Sequence, residues 1–213
     1  GNIPVVLASS AAVYGNNPSV PLSEGDRTGP ISFYGADKLL DEMHAEIASQ
    51  VKAMRTAAMR FFNVFGPRQD PASPYSGVIS IFANAALTGR PITIFGNGKQ
   101  TRDFIYVADV VTALIAALET LADTTAGRHL RLNVCTGTET TISDLAGRLV
   151  SMAGGNSEVT YRAAREGDIA RSAGDPSLNL RATGFRQRIA LEQGLRDLLG
   201  WLSTGNGEAL PTD

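Results

Sequence analysis

The sequence lacks several features on which whole classes of protein depend. Its 213 residues include one cysteine, Cys135, which excludes an internal disulfide and fits a reducing compartment. No apolar run approaches the ~18 residues that a membrane-spanning helix needs. The two histidines, His44 and His129, have no ligand-like neighbours at the spacing of a zinc site. We therefore predict a cytoplasmic protein without a membrane span or a metal site.

An excess of one charge is also missing. The chain carries 19 basic and 21 acidic residues, a formal net charge of −2, and it has no long basic run. Nucleic acid and anionic membranes are therefore not expected as main partners, because both attract strongly basic surfaces. Hydrophobic residues make up 43% of the chain, which is enough for a sizeable core.

Short apolar runs alternate with helical patterns along the chain. Strands are predicted at residues 4–8 (as a buried strand), 56–62, 92–95, 102–106, 130–135 and 158–161. Helices are predicted at residues 34–52, 78–88, 107–121, 142–153 and 189–202. This alternation indicates an α/β fold with parallel strand pairing. We expect a βαβ unit up to residue 66 and a small substrate-binding lobe after it, with an interleaved boundary.

Three residues near the N-terminus could act together in proton transfer. Ser10 ends the first apolar run, Tyr34 begins the first predicted helix, and Lys38 lies one turn later on the same face. Tyrosine titrates near ~10, so it is a poor base at neutral pH, but a neighbouring ammonium favours the phenolate. A serine hydroxyl at a strand end can bind a substrate alcohol and pass its proton on. The alternatives are an ordinary turn serine, and a solvated lysine beside a half-buried tyrosine.

Four motifs, in a fixed order, surround these residues. They are SSAAVYG at 9–15, YGADK at 34–38, RFFNVFGPRQ at 60–69 and TRDFIYVAD at 101–109. With them the chain resembles the extended short-chain dehydrogenases/reductases of the NAD-dependent epimerase/dehydratase family, and most of all their UDP-glucose and UDP-N-acetylglucosamine 4-epimerases. The resemblance extends from residue 4 to about residue 202. It implies NAD as the cofactor and a nucleotide sugar as the ligand.

The family's Gly-rich turn, which binds the dinucleotide pyrophosphate at a helix N-terminus, has no match in this sequence. We therefore expect the C-terminal part of a Rossmann-type parallel-sheet domain plus a small α/β substrate-binding lobe. Residues 1–66 would be the remnant of the dinucleotide-binding domain, and residues 67–213 mainly the nucleotide-sugar lobe. We also expect an open sheet edge, weak NAD binding and no activity from this piece by itself.

The resemblance implies catalytic and cofactor-binding roles at four positions. Ser10 corresponds to the catalytic serine and Tyr34 to the base. Lys38 corresponds to the lysine that binds the nicotinamide ribose and tunes that base. Phe62 corresponds to a residue beside the nicotinamide.

The resemblance also implies a set of substrate-binding residues. These are Asn63, Val78, Ile79, Thr93, Phe95, Arg102, Arg165, Asp168 and Ser172. Asn63 and the backbone of residues 78–79 would meet the nucleotide sugar, and residues 93 and 95 would hold the uracil. The two arginines would grip the diphosphate, for which a planar, always charged fork is suited. Asp168 would accept a ribose hydroxyl, and the small Ser172 would leave room for an N-acetyl group.

Structural alternatives exist for most of these positions. Asn63 could be a turn residue at a strand exit. Residues 93 and 95 could be a plain strand pair. Arg102 could form a surface salt bridge with Asp103 or Asp109. Residues 165–168 could be a charged turn.

The reaction type follows from what stands beside the catalytic serine. Related dehydratases carry an acidic pair there to eliminate water, whereas this chain has Ala11 and Ala12, so we disfavour that chemistry. The resemblance therefore implies NAD-dependent 4-epimerisation of a UDP-hexose or UDP-N-acetylhexosamine through a 4-keto intermediate. The alternatives are a net NAD(P)-dependent oxidoreductase or reductase of sugar nucleotides, and a non-catalytic nucleotide-sugar-binding subunit. The family also implies a possible homodimer, formed partly through the helix at 34–52.

Overall fold

The computed structural model describes residues 3–70, 77–165 and 167–206. The strands are β1 (Val5–Ser10), β2 (Thr56–Phe61), β3 (Asn63–Phe65), β4 (Ile92–Phe95), β5 (Thr101–Arg102), β6 (Phe104–Tyr106), β7 (His129–Val134), β8 (Thr140–Thr141) and β9 (Val159–Arg162). The helices are α1 (Phe33–Lys52), α2 (Val78–Leu87), α3 (Val107–Ala122), α4 (Ile142–Met152), α5 (Ser177–Thr183) and α6 (Leu191–Trp201). A 3₁₀ turn covers Ala11–Tyr14, and a π-helical turn covers Leu202–Asn206.

Strands β1, β2 and β7 form a parallel sheet in that order. Ser10 pairs with Phe61, which pairs with Val134, so the three strands end at the same level. Side chains of β2 alternate between its two faces. Ala57 and Met59 pack in a cluster with α3 and β7, while Arg60 reaches Glu42 on α1. The sheet is thus covered by helices on both sides, and this confirms the predicted α/β class with parallel pairing.

The first strand differs from its prediction. It covers residues 5–10 and is largely unburied: Val5 and Ala8 are exposed, and Val6 and Leu7 are only half-buried. The reason is its place at the edge of the sheet, where β2 is its one partner among the described residues. A run of apolar residues predicts a strand, but it does not show whether that strand is central or at an edge.

A second core lies beside the sheet, and a short parallel pair, β4 and β9, runs through it. Helices α2, α4 and α6 pack around it, and its central side chains include Phe65, Phe82, Ile94, Leu145, Leu149, Leu195 and Leu198. Helix α6 approaches closely because Gly194 has no side chain: a Cβ there would lie 2.7 Å from ring atoms of both Phe65 and Tyr106. Three residues of this core, Val78, Phe82 and Ile142, also line the pocket described below.

The chain crosses the boundary proposed near residue 66, because β7 joins the sheet that begins with β1 and β2. The division into two parts therefore stays a prediction. The strand predicted at residues 56–62 is β2, which ends at Phe61 and pairs with β7. The short β3 follows it, was not predicted, and pairs with β6. One predicted strand is divided. Residues 102–106 divide at the buried Asp103, and β5 pairs with β8 in an antiparallel arrangement.

Helix α1 does not bury the apolar stripe that indicated it. Leu40, Met43 and Ile47 are each about half-exposed and Val51 is more exposed still, while the buried positions are Gly35, Glu42, Ala45 and Ser49. Helix α5 was not predicted at all. None of the helices in the described part of the chain combines the length and the apolar character needed to cross a membrane.

Candidate active site

The strand-end serine and the tyrosine helix meet at one turn. Ser10 ends β1, and its Oγ accepts a hydrogen bond from the Ala12 amide at 3.1 Å, which starts the 3₁₀ turn. Helix α1 starts in the same way, with the Ser32 hydroxyl accepting from the Gly35 amide at 3.1 Å. A Cβ on Gly35 would lie 2.7 Å from the Ala12 carbonyl oxygen. The turn of α1 that carries Tyr34 therefore packs directly on the turn that follows Ser10.

Tyr34 and Lys38 lie on the open side of this junction. The Tyr34 side chain is about half-exposed, and the Lys38 Nζ is 6.0 Å from the centre of its ring. Lys38 also forms an ion pair with Asp41 at 3.2 Å, one helical turn further on. The Lys38 ammonium thus lies beside the Tyr34 ring and is paired with Asp41, an exposed carboxylate that a ligand can replace.

Phe62 follows β2 directly and is buried. Its amide donates to the Val134 carbonyl at 3.1 Å, and its ring packs 6.3 Å from the ring of Tyr14. A Cβ on Gly174 would lie 2.6 Å from the Phe62 ring, so the chain at residue 174 runs closely over it. The contact with a nicotinamide remains a prediction.

A pocket of about 390 Å³ begins at the next residue, Asn63. Seven of the nine predicted substrate-binding residues line it, namely Asn63, Val78, Thr93, Phe95, Arg102, Arg165 and Asp168. Five residues that were not predicted from the sequence also line the pocket, namely Ile81, Phe82, Gln100, Ile142 and Gly167. Of these, Gln100 has a clear role, because its side-chain amide donates to the Phe95 carbonyl at 2.7 Å. Its only sequence signal is the position just after a Gly-Asn-Gly turn.

Arg102 is held at the pocket wall by partners distant in sequence. Its guanidinium contacts Asp168 at 2.5 Å and donates to the Ile169 carbonyl at 2.6 Å. The alternative of a salt bridge to Asp103 or Asp109 is therefore wrong. Asp103 accepts instead from residues 136 and 137, and Asp109 accepts from the amides of residues 188 and 189.

The aromatic wall of the pocket already has a cation on it. The Arg165 guanidinium carbon lies 3.9 Å from the centre of the Phe95 ring, a cation–π arrangement. Thr93, two residues earlier on β4, contacts the Thr160 hydroxyl of β9 at 3.3 Å. Because side chains alternate along a strand, Thr93 and Phe95 both face the pocket while Ile92 and Ile94 face the core.

Ile79 and Ser172 are not among the residues that line this pocket. The Ile79 side chain is buried in the second core, although its backbone lies in the first turn of α2, whose amides have no partner within the helix. Ser172 is buried at 9% exposure, next to Ala173, whose carbonyl accepts from the Leu22 amide at 2.8 Å. Both assignments stay predictions.

The chain is similar in sequence to known proteins. The sequence profile described as "NAD dependent epimerase/dehydratase family" matches residues 2–135. A putative UDP-glucose 4-epimerase of Methanocaldococcus jannaschii is 34% identical over 203 residues, which cover 95% of this chain and 64% of the relative. A UDP-glucose 4-epimerase of Mycolicibacterium smegmatis is 35% identical over 191 residues, covering 90% and 59%.

The chain is also similar to solved structures. The UDP-N-acetylglucosamine 4-epimerase from Methanobrevibacter ruminantium, in complex with UDP-N-acetylmuramic acid, has a TM-score of 0.88 at 36% identity over 95% of this chain and 64% of its own. MoeE5 in complex with UDP-glucose and NAD has a TM-score of 0.85 at 32% identity, over 96% of this chain and 66% of its own. The Rossmann-type fold is thereby established, and the chain spans somewhat less than two thirds of these relatives.

Proposed function

Because the chain belongs to the NAD-dependent epimerase/dehydratase family, we propose that it carries the proton-transfer residues and the sugar-nucleotide pocket of a nucleotide-sugar 4-epimerase. One observation carries the proposal. Seven residues that the family resemblance assigns to the nucleotide sugar, distant in sequence, line a single pocket that starts beside Phe62 at the ends of the parallel strands. Ligands of open α/β sheets bind at that edge.

The residues at this edge fit the nicotinamide end of NAD. Lys38 can exchange the exposed Asp41 for ribose hydroxyls, and the half-exposed Tyr34 stands beside it. The buried Phe62 lies at the end of β2. We propose that these residues, with Ser10, contact the nicotinamide and its ribose. The chemistry that NAD supplies when bound is the reversible acceptance of hydride.

In the proposed reaction, Tyr34 moves one proton twice. Its phenolate takes the proton of the sugar's C4 hydroxyl as C4 loses hydride and becomes a ketone, and Ser10 orients that hydroxyl. After the keto sugar has turned over, hydride returns to the opposite face and Tyr34 gives the proton back. Proton and hydride balance over the cycle, so no cofactor is consumed. Ala11 and Ala12 follow Ser10 without an acidic group, which favours this cycle over loss of water.

The pocket side chains suit a nucleoside diphosphate. A diphosphate can take the place of Asp168 on the Arg102 guanidinium, gaining charge-assisted hydrogen bonds. Arg165 supplies a second positive charge and lies over the ring of Phe95, and both residues line the pocket. A base that stacked on this face of the ring would take the place of the guanidinium. The family resemblance makes UDP the proposed nucleotide and hexose or N-acetylhexosamine the proposed sugar.

Product analysis without added cofactor tests the reaction. The natural gene product that contains this chain, incubated with UDP-glucose or UDP-N-acetylglucosamine, should yield the 4-epimer, detected by NMR. A net oxidoreductase would instead need stoichiometric NAD(P). Tyr34→Phe should abolish turnover while leaving UDP-sugar binding intact. Unchanged turnover in that variant would contradict the role of Tyr34.

We also propose that the exposed apolar stripe of α1, formed by Leu40, Met43, Ile47 and Val51, is buried in a homodimer. Four large apolar side chains along one helix face form a contiguous surface of the kind that interfaces use. Light scattering should give a dimer for the natural gene product and a monomer for Ile47→Glu. A monomer in both proteins would refute it.

A further inference from the structure

A row of buried polar side chains crosses the sheet one residue below the strand ends. Ser9 of β1 pairs in register with Arg60 of β2, which pairs with Asn133 of β7. Their exposures are 2%, 0% and 0%. The sheet therefore carries a polar layer directly beneath the proposed reaction site, where a parallel strand would otherwise be apolar on both faces.

Helix α1 is attached to this row through Glu42. Its Oε1 accepts from Arg60 Nε at 2.9 Å and its Oε2 from Arg60 Nη2 at 2.7 Å. The Ser9 hydroxyl also donates to Glu42 Oε1. A two-point contact between a planar guanidinium and a carboxylate fixes direction as well as distance. Glu42 thus connects α1 to β1 and β2 together.

The same row holds the turn that follows Ser10. Tyr14, at the end of that turn, donates to Asn133 Oδ1 at 2.7 Å, and its ring lies 4.8 Å from the Arg60 guanidinium carbon. Burial raises the pKa of Tyr14 to about 12, which keeps it a neutral donor. The Glu24 carboxylate accepts from the backbone amide of Asn133 at 2.7 Å, and the backbone carbonyl of Glu24 accepts from the Arg60 guanidinium at 3.3 Å. The helix and the serine turn therefore share one anchor.

Glu42 is the charged residue on the buried face of α1, where the other buried residues are Gly35, Ala45 and Ser49. This face also has the half-buried Leu39, which packs on the cluster around Tyr14, and the Ala45 carbonyl, which accepts from the Thr56 hydroxyl at 3.1 Å. Small residues let a helix lie close to a sheet, but they do not interlock to fix its position along the axis. Glu42 stands four residues after Lys38 and eight after Tyr34, on the same side of the helix.

We infer that Glu42, Arg60 and Ser9 are positioning residues, which set Tyr34 and Lys38 relative to Ser10. The inference rests on the proposed function. A buried ion pair adds little net stability over apolar residues of the same volume, so its value here is geometric. Reacting groups displaced by about 1 Å can lose on the order of 100-fold in rate.

The decisive variant replaces both charged partners, Glu42→Leu with Arg60→Met, in the natural gene product that contains this chain. Removing the pair together leaves neither Glu42 nor Arg60 as an unpaired buried charge, so the fold should be retained. We expect kcat to fall about 10- to 100-fold with KM for the UDP-sugar unchanged, because the pocket is formed by other residues. A folded double variant with wild-type kcat would overturn the inference.

Asp109→Asn provides a matched control. Asp109 is equally buried and accepts from the amides of Arg188 and Ile189, at 3.1 and 2.9 Å, but it lies on α3, on the other side of the sheet. It should lower the melting temperature without lowering kcat. An equal loss of kcat in this control would also overturn the inference, because any buried polar group would then have the same effect.

Two further readouts keep the test independent of folding and of the proposed reaction. Ser9→Ala removes one hydroxyl and leaves the ion pair, so it carries the kinetic test if the double variant does not fold; about a 3- to 10-fold loss of kcat at constant KM is expected. If the wild-type protein epimerises no UDP-sugar, the proposed function fails. A crystal structure of Ser9→Ala or of the double variant then decides the inference: Tyr34 should shift relative to Ser10, and an unchanged position would refute it.

Discussion

The most direct test of the pocket is the substitution Arg102→Lys, read out as affinity for UDP. Lysine keeps the positive charge but cannot present the planar fork with which Arg102 now contacts Asp168 and the Ile169 carbonyl. We expect the diphosphate to lose at least one charge-assisted hydrogen bond, each of which contributes about 1.5–3 kcal/mol. That loss corresponds to a roughly 10- to 100-fold higher Kd.

Isothermal titration calorimetry of the natural gene product measures this, with uridine as a second ligand. Uridine has no diphosphate, so its affinity should be the same in the wild type and in Arg102→Lys. Arg148→Lys is the control substitution, because Arg148 pairs with Asp144 on the surface of α4 at 2.9 Å and does not line the pocket. An unchanged Kd for UDP in Arg102→Lys, or an equal loss for uridine, would refute the assignment of Arg102 to the diphosphate.

Two predictions concern the scaffold. Gly194→Ala should lower the melting temperature by roughly 2–12 °C, because its Cβ would lie 2.7 Å from Phe65 and Tyr106 and overpacking costs about 1–3 kcal/mol. Gly147→Ala, at an exposed helix position with nothing within 4 Å of the added Cβ, should raise the melting temperature by a few degrees, because alanine has a helix propensity on the order of 1 kcal/mol better than glycine. Calorimetry measures both variants, and a change of the same sign in the two would contradict the packing argument. Burial lowers the pKa of His129 below its ordinary value, so the unfolded chain binds a proton that the folded chain resists as pH falls below about 6.5. The melting temperature should therefore fall more steeply between pH 7.5 and 5.5 in the wild type than in His129→Gln. An equal pH dependence of the melting temperature in the two proteins would rule this out.

Local patterns predicted most elements of the fold. Helix α1 and strands β2 and β4 agree with their predicted ranges to within one residue, because periodicity and strand composition are local properties. Helix α5 has only seven residues, SLNLRAT, too few for a full apolar stripe to show. The exposure of β1 depends on which strands lie beside it, and local sequence does not contain that information.

For the candidate site, too, some features could be predicted from the sequence and others could not. Seven of the nine predicted substrate-binding residues line one pocket, and their roles there stay predictions. The interaction partners of these side chains could not be predicted from the order of the motifs. For Arg102 the sequence offered the neighbouring Asp103 and Asp109, whereas the partner, Asp168, is 66 residues away. The contact between Glu42 and Arg60 likewise joins residues 18 positions apart that no spacing rule connects.

The two adjacent serines of β1 carry a consequence for mutational scanning of this protein. They are chemically identical, yet the hydroxyl of Ser9 donates to a buried carboxylate, whereas that of Ser10 caps the 3₁₀ turn that follows the strand. Substitutions at the first should be revealed by slow turnover in a well-saturated enzyme, and at the second by loss of the chemical step itself. The two positions are therefore not equivalent, and a deletion of one residue upstream would move Ser10 into the surroundings of Ser9 and Ser9 into those of Ala8.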